Sequence, residues 1–355
     1  MKRIVLPLFF LLVSAWLLPA RRAFAQAEDP RDSSSPYGVL DFFAWDQAWN
    51  HFHYGDDKVD RAVALMKDAG IEFVRLDFPW AELEPQKGRF DFRRYDHILD
   101  LMQRNGLHAL GILAYNPSWR SGDWNAAPVL EDYLAYARKI VRHYKGQVKY
   151  WEIWNEPDSE TYWKPQDDLT AYSQLLKAVY PVIKQEDPTA QVLIGGLTNG
   201  NPFHLRTLYQ KAGRGSFDIV NLHPFVSPLR PNALDQLHGI YVSVARVMQE
   251  FQDADKPIWI TEIGCPGVPE GSRTKGWWEG PNPTEAQQAE WLKTVYQNVL
   301  GWKGIQKVFW AFFRDTPDHW DNGVDFFGIL RTDFSTKPAY DAYRQLTQDA
   351  RSATP

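Results

Sequence analysis

A single (β/α)8 barrel of the α/β class is the fold predicted for this chain, and two features of the sequence carry the prediction. Strand-like apolar runs and helix-like amphipathic runs alternate eight times. The connections between them are also unequal, always in the same sense. Links from a helix into the next strand are short and marked by Gly or Pro: Asp68-Ala69-Gly70, Asn105-Gly106, Lys145-Gly146, Asp187-Pro188, Lys256-Pro257 and Lys303-Gly304. Segments leaving a strand are long, as in Ala44 to Asp56, Asn116 to Pro128, Pro157 to Asp168, Cys265 to Pro283 and Arg314 to Gly328. Ordinary strand-to-helix connections run about 2 to 6 residues. Lengthening on one side only builds a crowded face at the C-terminal ends of the strands, where such barrels carry their functional residues.

The eight strands read Tyr37 to Phe43, Phe73 to Leu76, His108 to Leu113, Lys149 to Trp154, Gln191 to Gly195, Asp218 to Leu222, Ile258 to Thr261 and Lys307 to Phe313. Each is short, apolar and bounded by turn residues, as a strand buried on both faces must be. Between them, Asp60 to Ala69 places Val63, Leu65 and Met66 on an apolar side, and Tyr172 to Ile183 does the same with Leu175, Leu176, Val179 and Ile183. A last helix is expected over Ala339 to Gln348. With 355 residues the chain holds one barrel of about 250 residues plus long loops. No low-complexity linker divides it.

Composition narrows the range of functions. The chain is 44% hydrophobic and 23% charged, with 16 Trp, 16 Tyr and 20 Phe. Residues 1–25 have the pattern of a signal peptide: Lys2 and Arg3 precede an apolar run from Ile4 to Leu18, and Ala23-Phe24-Ala25 offers a cleavage site. Residues 26–355 would then form the barrel, and the protein would be secreted or periplasmic. Arg21 and Arg22 after the apolar run leave an uncleaved anchor as the alternative, although a run broken by Pro7 spans a bilayer poorly. Removing the leader's four basic residues leaves 35 Lys and Arg against 44 Asp and Glu, a net charge of −9. That balance disfavours nucleic acid or an anionic membrane as partner. Cys265 is the only cysteine, so no internal disulfide is available, and it reads as a buried inert thiol.

Two stretches carry chemistry. Trp151-Glu152-Ile153-Trp154-Asn155-Glu156-Pro157-Asp158 and Ile258-Trp259-Ile260-Thr261-Glu262-Ile263-Gly264 each begin as an apolar strand and present a glutamate where the strand runs out. Glu156 and Glu262 are thereby expected on one face of the barrel. Paired carboxylates are what glycosidic cleavage requires, one attacking the anomeric carbon and the other protonating the leaving oxygen. Two carboxylates held close cannot both ionise easily, and the proton is assigned to Glu156, the charge to Glu262.

Asn155-Glu156-Pro157 ending the fourth strand and Thr261-Glu262 ending the seventh resemble the acid/base and nucleophile positions of the clan A glycoside hydrolases. Phe73-Val74-Arg75-Leu76-Asp77-Phe78-Pro79-Trp80, Leu113-Ala114-Tyr115-Asn116-Pro117-Ser118-Trp119 and Phe217-Asp218-Ile219-Val220-Asn221-Leu222-His223-Pro224 are most similar to family 39 and its relatives, with family 5-like enzymes beside them. The resemblance runs from Tyr37 to Tyr343. It implies that Arg75 supports the charge on Glu262, that Asn155 donates to the sugar 2-hydroxyl, and that His223 and Trp310 give a polar contact and a stacking floor. In one place the chain departs from the pattern. Related barrels often carry a tyrosine two residues after the sixth-strand histidine, bonded to the nucleophile; here it is Phe225, leaving Tyr115 or Tyr241 to substitute.

The expected activity is retaining hydrolysis of a β-linked polysaccharide or oligosaccharide, endo-acting, without cofactor or metal. Exo-cleavage, transglycosylation and a non-catalytic carbohydrate-binding barrel are the alternatives. Trp119, Trp124, Trp163, Trp277, Trp278 and Trp320 fall on strand-exit loops, which favours a cleft with several sugar subsites. The stretch from Cys265 to Pro283 reads as an aromatic lid. His51 and His53 read as loop or sugar-contact residues rather than metal ligands, and Asp321-Asn322-Gly323-Val324-Asp325 as a turn rather than a calcium loop. No glycine-rich phosphate cradle follows a strand.

Overall fold

The computed structural model describes residues 29–45, 54–120, 122–316 and 319–353. The leader and the pair His51 and His53 lie outside them.

Among the described residues nine parallel strands make one sheet: β1 (Tyr37–Leu40), β2 (Phe73–Pro79), β3 (His108–Ala114), β4 (Val148–Ile153), β5 (Gln191–Ile194), β6 (Leu197–Thr198), β7 (Val220–His223), β8 (Ile258–Ile263) and β9 (Ile305–Ala311). Their order is β5-β4-β3-β2-β1-β9-β8-β7-β6. The ring closes because β5 also bonds the segment entering β7, through Ile194 N to Ile219 O at 3.3 Å and Asp218 N to Val192 O at 2.8 Å. The two-residue β6 continues β5 past Gly195-Gly196 and pairs with β7, so the two form one interrupted stave. The barrel therefore has the eight expected staves.

Helices wrap the outside: α1 (Asp56–Asp68), α2 (Trp80–Leu83), α3 (Arg93–Arg104), α4 (Leu130–Tyr144), α5 (Thr170–Glu186), α6 (Pro202–Lys211), α7 (Ala233–Glu250), α8 (Glu285–Val299) and α9 (Pro338–Ala353). The short α2 and α6 were not legible as separate runs. α8 starts where it does because Thr284 and Gln287 form a reciprocal capping box. β1 stops at Leu40, three residues before the expected end, where the buried Asp41 turns its carboxylate onto the Phe42 amide at 2.6 Å.

Inside the barrel, alternate residues of each strand point to the axis. The bottom layer is apolar, packing Phe73, Leu110, Tyr150, Leu193, Ile219, Trp259 and Phe309 against one another. Gly38 has no side chain because a Cβ there would sit 2.5 Å from the Phe309 ring. Lys307 closes the floor from below, its Nζ 3.8 Å from the Phe73 ring centroid and bonded to the Ser33 and Ser35 carbonyls. Two residues further up the same strands, Phe73 gives way to Arg75, Tyr150 to Glu152, Trp259 to Thr261 and Ile219 to Asn221. All four of these polar side chains are buried. The apolar plug thus supports a polar layer, and the C-terminal ends of the strands lie directly above it.

Candidate active site

Glu156 follows β4 through a turn the chain does not adopt cheaply. Trp154 has φ 66° and Glu156 φ 43°, both left-handed without being glycine. Such backbone costs about 1 to 3 kcal/mol per residue and persists where its surroundings fix it. Here the Trp154 indole is wholly buried and donates to the Tyr162 carbonyl at 2.7 Å. Asp158 pins the same exit loop by accepting from the Thr198 hydroxyl at 2.8 Å and pairing with His204 at 2.8 Å. Glu262 is simpler, since it belongs to β8 itself.

The two carboxylates meet. Glu156, His223 and Glu262 each offer one ligand atom, and these atoms lie within 4.8 Å of one another. Such a group is compact enough for a cation, but Arg75 already places a guanidinium on Glu262, and that charge opposes a metal. Arg75 is 1% exposed and uses its whole fork: Nε and Nη2 donate to Glu152 at 2.7 and 2.8 Å, Nη2 to Asn155 Oδ1 at 2.8 Å, and Nη1 to Glu262 at 2.5 Å. Asn155 therefore has its amide oxygen taken and its NH2 group available to a ligand.

Burial lifts the Glu262 carboxyl to about 7 while Arg75 pulls it down by charge and hydrogen bond. Burial, then the neighbouring charge of Glu262, raises Glu156 well above the usual carboxylate range. Both causes act on Glu156 in the direction that favours its protonated form.

The structure distributes the other expected residues unevenly. Arg75, Asn155 and Tyr115 line the cleft beside Glu262. His223 is fully buried and bonds Glu156 through Nδ1 at 2.8 Å rather than facing open space. Trp310 is also fully buried, its indole donating to the Phe327 carbonyl at 3.2 Å. On that side the cleft wall is Phe312 stacked on Trp320, ring centroids 5.2 Å apart. Trp119 donates to the Glu84 carbonyl at 2.6 Å and packs edge-on to Trp80, anchoring its loop. Phe225 packs against Trp278 and Phe327. Neither proposed tyrosine replaces the missing hydroxyl: Tyr241 bonds the Lys303 carbonyl, and Glu262 is bonded by Arg75, with His223 Nδ1 3.8 Å from it. Trp277 is buried against Phe327 and anchors the long loop after β8, whereas Trp278 is 56% exposed. Cys265 is buried, with burial raising its thiol, and Gly323–Phe326 forms a single 3-10 turn.

Glu152 and Asp77 escaped the reading of the sequence. Glu152 is a charge in the middle of an apolar strand, four residues before Glu156, and that oddity alone could have flagged it as the partner of another inward-facing charge. Asp77 lies two positions after Arg75, hence on the same face. It accepts from the Trp45 indole at 3.0 Å, lines the cleft, and burial raises it to about 6. The cleft has a volume of about 720 Å³ and includes Trp45, Trp80, Tyr115, Trp124, Tyr162 and Trp320 among its walls. That size and that aromatic lining suit an organic ligand fixed by a few polar groups.

Arg75 holds the polar layer together electrostatically. Arg75→Met should lower the free energy of unfolding by about 3 to 5 kcal/mol, because Glu152 is left as an uncompensated buried charge. Adding Glu152→Met should recover part of that loss in the same denaturant titration. A single variant as stable as the wild type would contradict this account of the layer.

Comparison with known proteins agrees with the geometry. Residues 48–120 match the family model described as beta-galactosidase, of glycoside hydrolase family 42. Over 289 residues the chain is 23% identical to endo-1,4-beta-xylanase B of Thermotoga neapolitana, covering 76% of this chain and 78% of that one. Over 150 residues it is 33% identical to endo-1,4-beta-xylanase C of Phanerodontia chrysosporium, covering 39% and 38% of the two. Among solved structures, a family 39 glycoside hydrolase from Bacteroides cellulosilyticus WH2 superposes with a TM-score of 0.70 at 22% identity, over 91% of this chain and 65% of that one. A family 39 β-xylosidase from Caulobacter crescentus gives 0.68 at 18%, over 91% and 73%. The resemblance to clan A glycoside hydrolases is thus borne out, and the barrel is the fold this chain shares with the family 39 structures.

Proposed function

We propose that this chain is a retaining β-glycosidase acting on an oligosaccharide or polysaccharide, with Glu262 as nucleophile and Glu156 as acid and then base. The observation that carries this reading is the separation of the two carboxylates: an oxygen of Glu156 and one of Glu262 lie within 4.8 Å. Retaining enzymes hold the pair about 5 to 5.5 Å apart, whereas inverting enzymes leave about 6.5 to 9.5 Å for a water between them.

In the first step a Glu262 oxygen bonds the anomeric carbon as the bond to the leaving oxygen breaks, and that oxygen takes the proton of Glu156. Esterification removes the charge of Glu262, and with it one of the causes that raise Glu156. The Glu156 carboxylate then takes a proton from water as the water oxygen replaces Glu262 on carbon. Arg75, bonded to both Glu262 and the Asn155 oxygen, would hold the attacking carboxylate, and the Asn155 amide, its oxygen engaged, would donate to the sugar hydroxyl beside the reacting carbon.

The open aromatic cleft supports endo-cleavage of a chain over removal of one terminal sugar. Incubating purified protein with neutral and acidic polysaccharides should release oligosaccharides of several lengths, detected by mass spectrometry. Release of monosaccharide alone from chain ends would contradict endo action. Binding of a polymer with no product after prolonged incubation would contradict catalysis itself.

A further inference from the structure

Behind Glu156 runs a chain of buried hydrogen bonds whose direction is fixed from its far end. The Ile194 carbonyl can only accept, so the group 3.2 Å from it on Asn221 is the amide nitrogen, and the Asn221 oxygen faces the other way. That oxygen lies 2.7 Å from the Thr261 hydroxyl, which must donate to it. Thr261 Oγ1 then has only lone pairs to offer His223 Nε2, 2.9 Å away, so Nε2 carries the hydrogen. A neutral imidazole with Nε2–H has a bare Nδ1. Nδ1 sits 2.8 Å from Glu156 Oε1, and the only hydrogen available to that contact belongs to a protonated Glu156 carboxyl group.

We propose that Asn221, Thr261 and His223 form a polarised relay that keeps the resting proton on Glu156, which makes Thr261 and Asn221 positioning residues for the acid/base group. The inference rests on the assignment of Glu156 as the acid. Asn221, Thr261 and His223 are each fully buried, so water does not compete for these bonds. Burial, then the Arg75 charge, disfavours the imidazolium that would donate from both nitrogens. Gly196 makes the arrangement possible: a Cβ there would lie 2.0 Å from His223 Nε2, so the imidazole occupies the space a side chain would fill.

The relay has a consequence for each half of the reaction. In the resting protein the carboxyl hydrogen points to Nδ1, and a bound glycosidic oxygen competes for it as a second acceptor. Once the proton has left, the carboxylate faces the Nδ1 lone pair, a repulsion that strengthens it as the base needed for water. The charged groups around Glu156 are Glu262 on β8, Arg75 on β2, Glu152 on β4 and Asp158 on the exit loop, the last paired with His204 of α6. Removing the Thr261 hydroxyl alters none of these.

Thr261→Val leaves Nε2 without an acceptor, frees His223 to carry its hydrogen on Nδ1, and lets it donate to ionised Glu156. The high-pH limb of the kcat/KM profile should therefore move down by about one pH unit or more. Thr261→Ser, which keeps the hydroxyl, should return that limb toward its wild-type position. The relay is also readable without turnover, in ¹⁵N spectra of the imidazoles of the whole wild-type protein. His223 should appear as the Nε2–H tautomer, changing to Nδ1–H in Thr261→Val. An Nδ1–H or doubly protonated His223 in the resting wild type would overturn the relay even if the valine variant fails to fold. So would an unmoved high-pH limb in a folded Thr261→Val. Absence of activity on every glycoside would instead count against the glycosidase reading and leave the spectroscopic test standing.

Discussion

Glu262→Ala is expected to lower kcat by at least about 10⁴-fold, because the variant lacks the carboxylate proposed to form the covalent intermediate. Arg75 keeps its two bonds to Glu152 in this variant, so the polar layer retains its main ion pair and the barrel should remain folded. Azide should restore part of the lost turnover by entering the space vacated by the carboxylate, giving a glycosyl azide of inverted configuration. Circular dichroism and product analysis on one preparation would separate a folded, inactive enzyme from an unfolded one. Activity near that of the wild type would remove Glu262 from the mechanism.

Glu156→Ala should act more selectively. Substrates with poor leaving groups are expected to lose about 10²- to 10⁴-fold in their first step, while activated aryl glycosides should lose much less there because their leaving group needs no proton. The pH profile gives a second reading. In the wild type, kcat/KM should fall as pH drops through the ionisation of Glu262, which burial lifts to about 7, because a protonated carboxyl cannot attack. It should fall again as pH rises through the ionisation of Glu156, which burial and the Glu262 charge raise well above the usual carboxylate range, because the leaving oxygen then finds no proton. Both limbs should lie above those of ordinary carboxylates, and they report the pair rather than either residue alone. Glu156→Ala should abolish the high-pH limb and keep the low-pH one. Equal losses on both substrate classes, or a surviving high-pH limb, would contradict the assignment.

The sequence shows Glu156 and Glu262 plainly because a glutamate at the end of an apolar strand has little packing role, and eight strands in order place two such ends on one face. Strand-exit loops were legible for the same reason: their length exceeds what a connection needs. What remained hidden depends on register across the barrel. His223 is placed by β7, but whether its ring meets solvent, Glu262 or Glu156 depends on the gap at Gly196 and on Thr261 and Asn221 from neighbouring strands. Trp310 is a similar case. Its aromatic character was evident, yet its position on β9 turns the ring into the fold and leaves Phe312 and Trp320 at the cleft.

Glu152 shows the opposite failure, a signal that was present and unused. An isolated charge within Tyr150-Trp151-Glu152-Ile153-Trp154 can be buried only against an opposite charge. Its inward phase on β4, together with that of Arg75 on β2, identifies the pair once a closed barrel is assumed. The left-handed turn at Trp154 and Glu156 gave no such warning, since neither residue type favours that conformation. Only the surrounding packing imposes it.

The stereochemistry of the first product tests the central claim most directly. Proton NMR during the earliest turnover of a β-glycoside that the enzyme cleaves would show the anomeric signal before mutarotation blurs it. Double displacement through Glu262 predicts a product that first appears as the β-anomer and relaxes to the equilibrium mixture. An α-anomer formed first would mean that water attacks directly, and would contradict the nucleophilic role of Glu262.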